Sequence, residues 1–156
     1  MIVAALIHSL AGIFNVALVV MIVWMMFAIL AVNLFGGKLN YCTVDTYVHH
    51  TEEECKKHHG VWTIQAYNYD SVPSAMITLF SIATMENWPT YMYNAINIQG
   101  EKMGPKIGAS PANGYFFVVF ILIGSFLFLN LFVGVIFKEF EDAQKEEKAS
   151  LMLKES

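Results

Sequence analysis

Hydrophobic and polar residues fall in long blocks along this chain of 156 residues. No formal charge occurs before Lys38, and residues 12–35 are nearly all Val, Ile, Leu, Met, Phe and Trp. As a helix rising 1.5 Å per residue, that run is about 36 Å long, enough to cross a bilayer core with some tilt. Residues 1–11 read as a short interfacial lead-in. A signal peptide would need a basic start, a shorter apolar run and small residues after it, and the pattern has none of these. Gly36-Gly37 closes the first span, and residues 38–70 form a polar connection. A second charge-free run covers 115–137 and ends at Lys138. Residues 138–156 are dense in charge and in good helix formers, which predicts a cytoplasmic helix continuing the second span.

Between the spans lies the stretch that gives the pattern its meaning. Val72–Ala83 is uncharged and about a dozen residues long, too short to cross a bilayer. Thr84-Met85-Glu86-Asn87-Trp88 follows, and Pro89 stands where a new helix can start, because the first helical position tolerates a missing N–H. Irregular backbone survives at membrane depth only when buried in protein or lining water. Residues 72–97 are therefore expected to form a re-entrant pore helix, a filter turn and a second pore helix. The expected fold is an all-α membrane protein with two transmembrane helices flanking that unit, arranged as a tetrameric or pseudo-tetrameric cation pore.

The chemistry of the turn follows from its one carboxylate. One Glu86 per subunit or repeat, gathered about a fourfold axis, makes a ring that partly replaces a cation's hydration shell. Calcium favours several hard oxygen ligands, so permeant Ca2+ or Na+ is the expected cargo, and no resident cofactor is expected. Carbonyls of Thr84 and Met85 would form the next layer inward, at the negative end of the preceding helix. Trp88 reads as a brace for the turn, packing its ring while its N–H bonds. The competing role for Glu86 is to stabilise the start of the helix near Pro89.

Composition narrows the classes. Hydrophobic residues make up 56% of the chain and charged residues 14%, against about 25% charged in an ordinary soluble domain. The net charge of −4 is reached without a single arginine, which excludes a nucleic-acid face. An enzyme is disfavoured, since Glu86 has no His, Cys or Ser constellation beside it in sequence. A non-conducting two-span adaptor stays open; residues 72–96 would then be an amphipathic surface segment.

The polar connection holds Cys42, Cys55 and four of the five histidines. Two cysteines beside a membrane span suggest one disulfide in an oxidising compartment. The sharper alternative is a metal site drawing on Cys42, Cys55 and His49, His50, His58 or His59, although the spacing matches no zinc signature. Lysines on the two sides nearly balance, so the disulfide sets the expected orientation, with the loop outside and both termini cytoplasmic. Asn15 and Asn33, the polar exceptions in the first span, are expected to bond between helices. In the second span, Val133, Ile136 and Phe140 recur at spacings of three and four on one stripe, where the charged tail begins. Converging stripes of this kind shut a pore by dewetting it, and Gly124 and Gly134 are expected to ease bending. The competing reading packs the stripe against the outer helix.

Taken whole, the chain resembles the pore module of four-repeat voltage-gated sodium and calcium channels. The matching pieces are ALIHSLAGIFNVALVVMIVWMMFAILAVNLFGGKLNYC, SAMITLFSIATMENWPTYMYNAI and GSFLFLNLFVGVIFKEF. The NLFGGK ending and the LNLFVGVI run look most like the third repeat of eukaryotic sodium channels. Those repeats carry a lysine where this chain has Glu86, and the glutamate looks like the calcium-channel pattern. TMENW is also similar to the TLESW filter of bacterial homotetrameric sodium channels. The resemblance implies Glu86 as filter carboxylate, Thr84 and Met85 as filter carbonyls, Trp88 as anchor and Asn130 as the inner-helix asparagine. Phe140 resembles the intracellular gate position of sodium channels. It also implies membrane lipid and other channel repeats or subunits as partners, and a multi-pass place in the plasma membrane. No helix carries regularly spaced Arg or Lys, so the chain has no voltage sensor. It is expected to be a fragment of a larger polypeptide, with Met1 an internal methionine.

Overall fold

The computed structural model describes residues 2–46, 48 and 50–155, with side chains described for these from residue 12 to residue 154. Helix α1 runs Ile2–Phe35, followed by strand β1 (Asn40–Cys42), helix α2 (Glu52–Lys57) and strand β2 (Trp62–Ile64). Then come helices α3 (Val72–Ala83), α4 (Trp88–Ile96) and α5 (Gly114–Phe120), the last entered through a 3-10 turn at Pro111–Asn113. A π-helical turn at Ile121–Ser125 leads into α6 (Phe126–Glu155). Among the described residues, two helices are long and apolar enough to cross a membrane, over Gly12–Phe35 and Pro111–Lys154.

Two differences from the sequence pattern stand out. Residues 2–11 belong to α1 without a break, because nothing in that stretch ends a helix: Pro is absent, and Gly12 alone does not stop one. The connection is not purely helical either. Strands β1 and β2 pair antiparallel, with Asn40 opposite Ile64 and Cys42 opposite Trp62.

The contacts divide the chain into two units, residues 23–125 and residues 1–22 with 126–156. The first has an aromatic core. Phe35 meets Tyr69, Phe116 and Phe117 at ring-centroid distances of 5.2, 5.2 and 5.8 Å. Phe27 meets Phe120 edge-on at 5.1 Å, and Trp24 meets Phe80 of α3 at 5.8 Å. Tyr69 is buried with no partner for its hydroxyl among the described residues, and burial holds its pKa above the ordinary tyrosine value, with Tyr91 adding to the rise. The outer end of α1 is tied to α3 through the loop between them: the Gly37 N–H, at φ +71°, donates to Asp70 Oδ1 at 2.8 Å. One residue on, Ser71 caps α3 by accepting from the Ser74 N–H.

Cys42 and Cys55 are bonded, with Cα atoms 5.6 Å apart. Gly60 lies against the bridge so closely that a Cβ there would sit 2.5 Å from one sulfur and 2.7 Å from the other. The linker after α4 is equally purposeful. Ser110 N–H donates to Ile96 O, Ser110 Oγ to Ile98 O and Asn113 Nδ2 to Ala95 O, which satisfies carbonyls the helix end leaves open.

In the second unit, α6 lays Phe128, Phe132 and Val135 against Val16, Ala17 and Val20 of α1, around a cavity of about 100 Å³. Gly12 permits a close approach there, since a Cβ would meet Glu139 Oε1 at 2.8 Å.

Candidate functional site

The turn between α3 and α4 is built from two helix-end motifs back to back. Helix α3 closes with Met85 in the left-handed region (φ +61°), its N–H donating to Ile82 O at 2.9 Å. The Glu86 N–H reaches back to Ser81 O at 3.2 Å. This is a Schellman closure, in which a left-handed residue lets the chain satisfy the last carbonyls of the helix. Glycine ordinarily fills that position, and a long side chain there costs on the order of 1–3 kcal/mol. Thr84 adds a third lock, its hydroxyl donating to Ser81 O at 2.8 Å.

Asn87 is the second left-handed residue, at φ +51°. It caps α4 from outside the helix: Thr90 N–H donates to Asn87 O at 3.1 Å and Thr90 Oγ1 to Asn87 Oδ1 at 2.7 Å. Trp88 and Pro89 occupy the first helical positions, where a missing N–H is harmless. The cap therefore belongs to Asn87, and Glu86 stands one residue outside it.

The backbone N–H groups of Thr84, Met85 and Glu86 all turn inward to α3. Among the described residues, nothing donates to the carbonyls of the same three. Thr84, Met85 and Glu86 are exposed, and Trp88 is half-buried. The turn thus presents one carboxylate and a run of open carbonyl oxygens, beside the negative end of α3.

Behind the turn lies a residue that sequence reasoning passed over. Tyr91, on α4, is buried, its ring 5.0 Å from that of Tyr67 in the loop before α3. The side chains of Ser81 and Tyr67 and the charge of Glu86 all lie near enough to influence its hydroxyl. Burial, then the neighbouring Tyr67, hold its pKa above the ordinary tyrosine value, with the Glu86 charge adding last. The available signal was the helical offset: residues 88 and 91 are one turn apart, and only the second lies inward.

The remaining site residues of the sequence reading fall elsewhere. Val133, Ile136 and Phe140 lie on α6 and are exposed at 48%, 48% and 61%. The face that packs on α1 is the one carrying Phe128, Phe132 and Val135, so packing against the outer helix does not account for the stripe. Asn130 is exposed on α6 and Asn15 on α1. Asn33 bonds to Ile29 O of its own helix at 2.8 Å instead of to another helix. Gly124 is buried in the π turn, where a Cβ would come within 2.7 Å of the Phe120 ring; it serves close packing there. Of the histidines weighed as metal ligands, His49 lies outside the described residues. The backbone N–H of His50 donates to Glu54 Oε2, and His58 and His59 are exposed at the end of α2. Among the described residues no group of His, Cys, Asp and Glu is arranged to hold a metal ion, and both thiols are in the disulfide.

Two long apolar helices flanking two short ones, with a turn that carries one carboxylate between them, outline the class. The chain belongs to the ion transport protein family, whose model matches residues 1–148. It is 35% identical over 151 residues to the sodium channel protein type 11 subunit alpha of Homo sapiens, covering 93% of this chain and 8% of that one. It is 36% identical to sodium channel protein 1 brain of Heterololigo bleekeri, covering 93% of this chain and 10% of that one. It is 34% identical over 150 residues to the voltage-dependent T-type calcium channel subunit alpha-1H of Rattus norvegicus, covering 96% and 6%. The chain thus spans a tenth or less of the length of these relatives.

Proposed function

We propose that this chain is a pore-forming segment of a voltage-gated cation channel, with α1 and α6 as its spans and the α3–turn–α4 unit as a re-entrant filter. The observation that carries the reading is the turn itself: an exposed Glu86 next to carbonyls of Thr84, Met85 and Glu86 that no group of the described chain engages. Four such turns about one axis, from other repeats or subunits, offer the oxygen-rich path that Ca2+ or Na+ needs to shed water. Relatives named as sodium and calcium channel alpha subunits support cations as the cargo. The glutamate, where sodium-channel third repeats carry lysine, favours appreciable calcium conduction. The bonded Cys42 and Cys55 support an extracellular face for the loop, both termini then being cytoplasmic. The Val133, Ile136 and Phe140 stripe, open along α6, is the proposed gate.

The test is Glu86→Gln in the channel that contains this segment. Block of sodium current by external calcium weakens by about tenfold or more, and calcium permeability relative to sodium falls. Unchanged block and unchanged reversal potentials in mixed solutions would remove the filter assignment.

A further inference from the structure

We infer that the space between α1 and α6 is a binding site for small uncharged apolar molecules, of the size of xenon or a short hydrocarbon, taken up from the surrounding bilayer. The inference does not depend on the filter reading. It concerns only how the two long helices pack.

The site begins with a mismatch in that packing. At one end, Gly12 brings α1 close to Glu139 of α6, where a Cβ would stand 2.8 Å from Oε1. Further along, the rings of Phe128 and Phe132 stack at 5.8 Å with an interplanar angle of 22°, which makes a stiff ridge on α6. On the α1 side of the same space lies Ala17, one turn from both Ile13 and Val20, with only a methyl group to offer. Rings held against each other do not fold down into the room that a short side chain leaves. About 100 Å³ stays unfilled, where well-packed interiors leave few voids larger than a water molecule.

The lining chooses the guest. Among the described residues, every side chain around the cavity is Ile, Val, Ala or Phe. A water molecule held inside a protein needs about two to four polar partners, and here it would find none. A charged group would lose its hydration with nothing in return. Apolar cavities of about 150 Å³ stay dry and take up xenon or benzene. This one is smaller, which favours a monatomic or short-chain guest over a ring. Access is open, since Ala17 and Phe132 lie exposed at the rim while Val20 is buried at the back. The lining belongs to the two stretches long and apolar enough to cross a membrane, and an apolar medium concentrates solutes of this class. An acyl chain could place no more than its end in the space. A guest restores dispersion contacts that the lining of a void forgoes, and by mass action it favours the state in which α1 and α6 are packed as they are here.

The test is the structure of the whole channel containing this segment, determined under xenon pressure and without gas. In the parent, a xenon peak is expected between Ala17 and Phe132 that is absent without gas. Ala17→Leu fills the space and loses that peak. Val20→Ala removes atoms and adds none; it keeps the peak and enlarges the site, so that benzene, excluded from the parent, is bound as well. No peak at this place in the parent would overturn the inference. So would a peak that survives Ala17→Leu, or acyl-chain density filling the space without gas. If Ala17→Leu fails to assemble, Val20→Ala decides alone, and benzene bound no better than by the parent counts against the site.

Discussion

Residues 23–125 and the pair made by the start of α1 with α6 are held by different means. In the first, rings meet edge to face across α1, α3 and α5, a disulfide closes the loop, and linker side chains satisfy the carbonyls at the end of α4. In the second, one face of α6 meets α1 around Phe132 and Val135, while Val133, Ile136, Phe137 and Phe140 remain open. Apolar side chains leave water in both regions, but in lipid that alone does not choose a neighbour, because acyl tails are as apolar as leucine. Shape, hydrogen bonds and cross-links choose it. The first region carries its own specification, whereas the stripe of α6 stays exposed among the described residues.

That contrast is easiest to break at the outer loop. Gly60→Ala places a carbon within 2.7 Å of both sulfurs of the bridge, so the bridge or the strand after it must move. If the bridge is lost, stability falls by about 2–4 kcal/mol. Thermal unfolding of the purified channel reads the loss, and intact mass after alkylation without reductant reads Cys42 and Cys55 as two released thiols. A bonded pair with an unchanged melting temperature would show that the glycine is not required.

Two glycines on the inner-helix side sharpen the comparison. Gly124 is packed under Phe120, and an added methyl there costs about 1–3 kcal/mol. Gly134 of α6 has open space around it, so Gly134→Ala should be neutral or stabilise by up to about 1 kcal/mol through helix propensity. Melting temperatures of the two variants should move apart. Equal shifts would erase the distinction between the regions.

Phe140→Ala has the smallest expected effect on folding and a clear one on current. The side chain is 61% exposed, so stability should stay within about 0.5 kcal/mol of the parent. A gate role predicts leak at voltages that keep the parent closed, with selectivity unaltered. Tight closure with changed selectivity would move Phe140 out of the gate.

Much of this was legible in sequence because it rests on local rules. The charge-free run before Thr84 ends at the same residue as α3, and Pro89 sits in the first turn of α4 as its missing N–H requires. The cysteines are bonded as their setting beside a span suggested. Other features depend on contacts that no local pattern encodes. Three-residue strands are too short for an alternation to register, so β1 and β2 were hidden in a polar loop. The π turn leaves no periodic signature, and Gly124, which suggested bending, proved to be the space into which Phe120 packs. Tyr91, not the larger ring of Trp88, is the buried one. Burial depends on which side of α4 meets α3 and Tyr67, a tertiary fact.

The central claim is that the Glu86 turn faces the ion path. Glu86→Cys tests it most directly, because the described part of this chain has no other free thiol. Applied from outside to the conducting channel, a positively charged thiol reagent should cut the current, and a high concentration of permeant cation should slow the modification. Modification that leaves current and selectivity untouched, or an unreactive thiol in an otherwise conducting channel, would contradict the account.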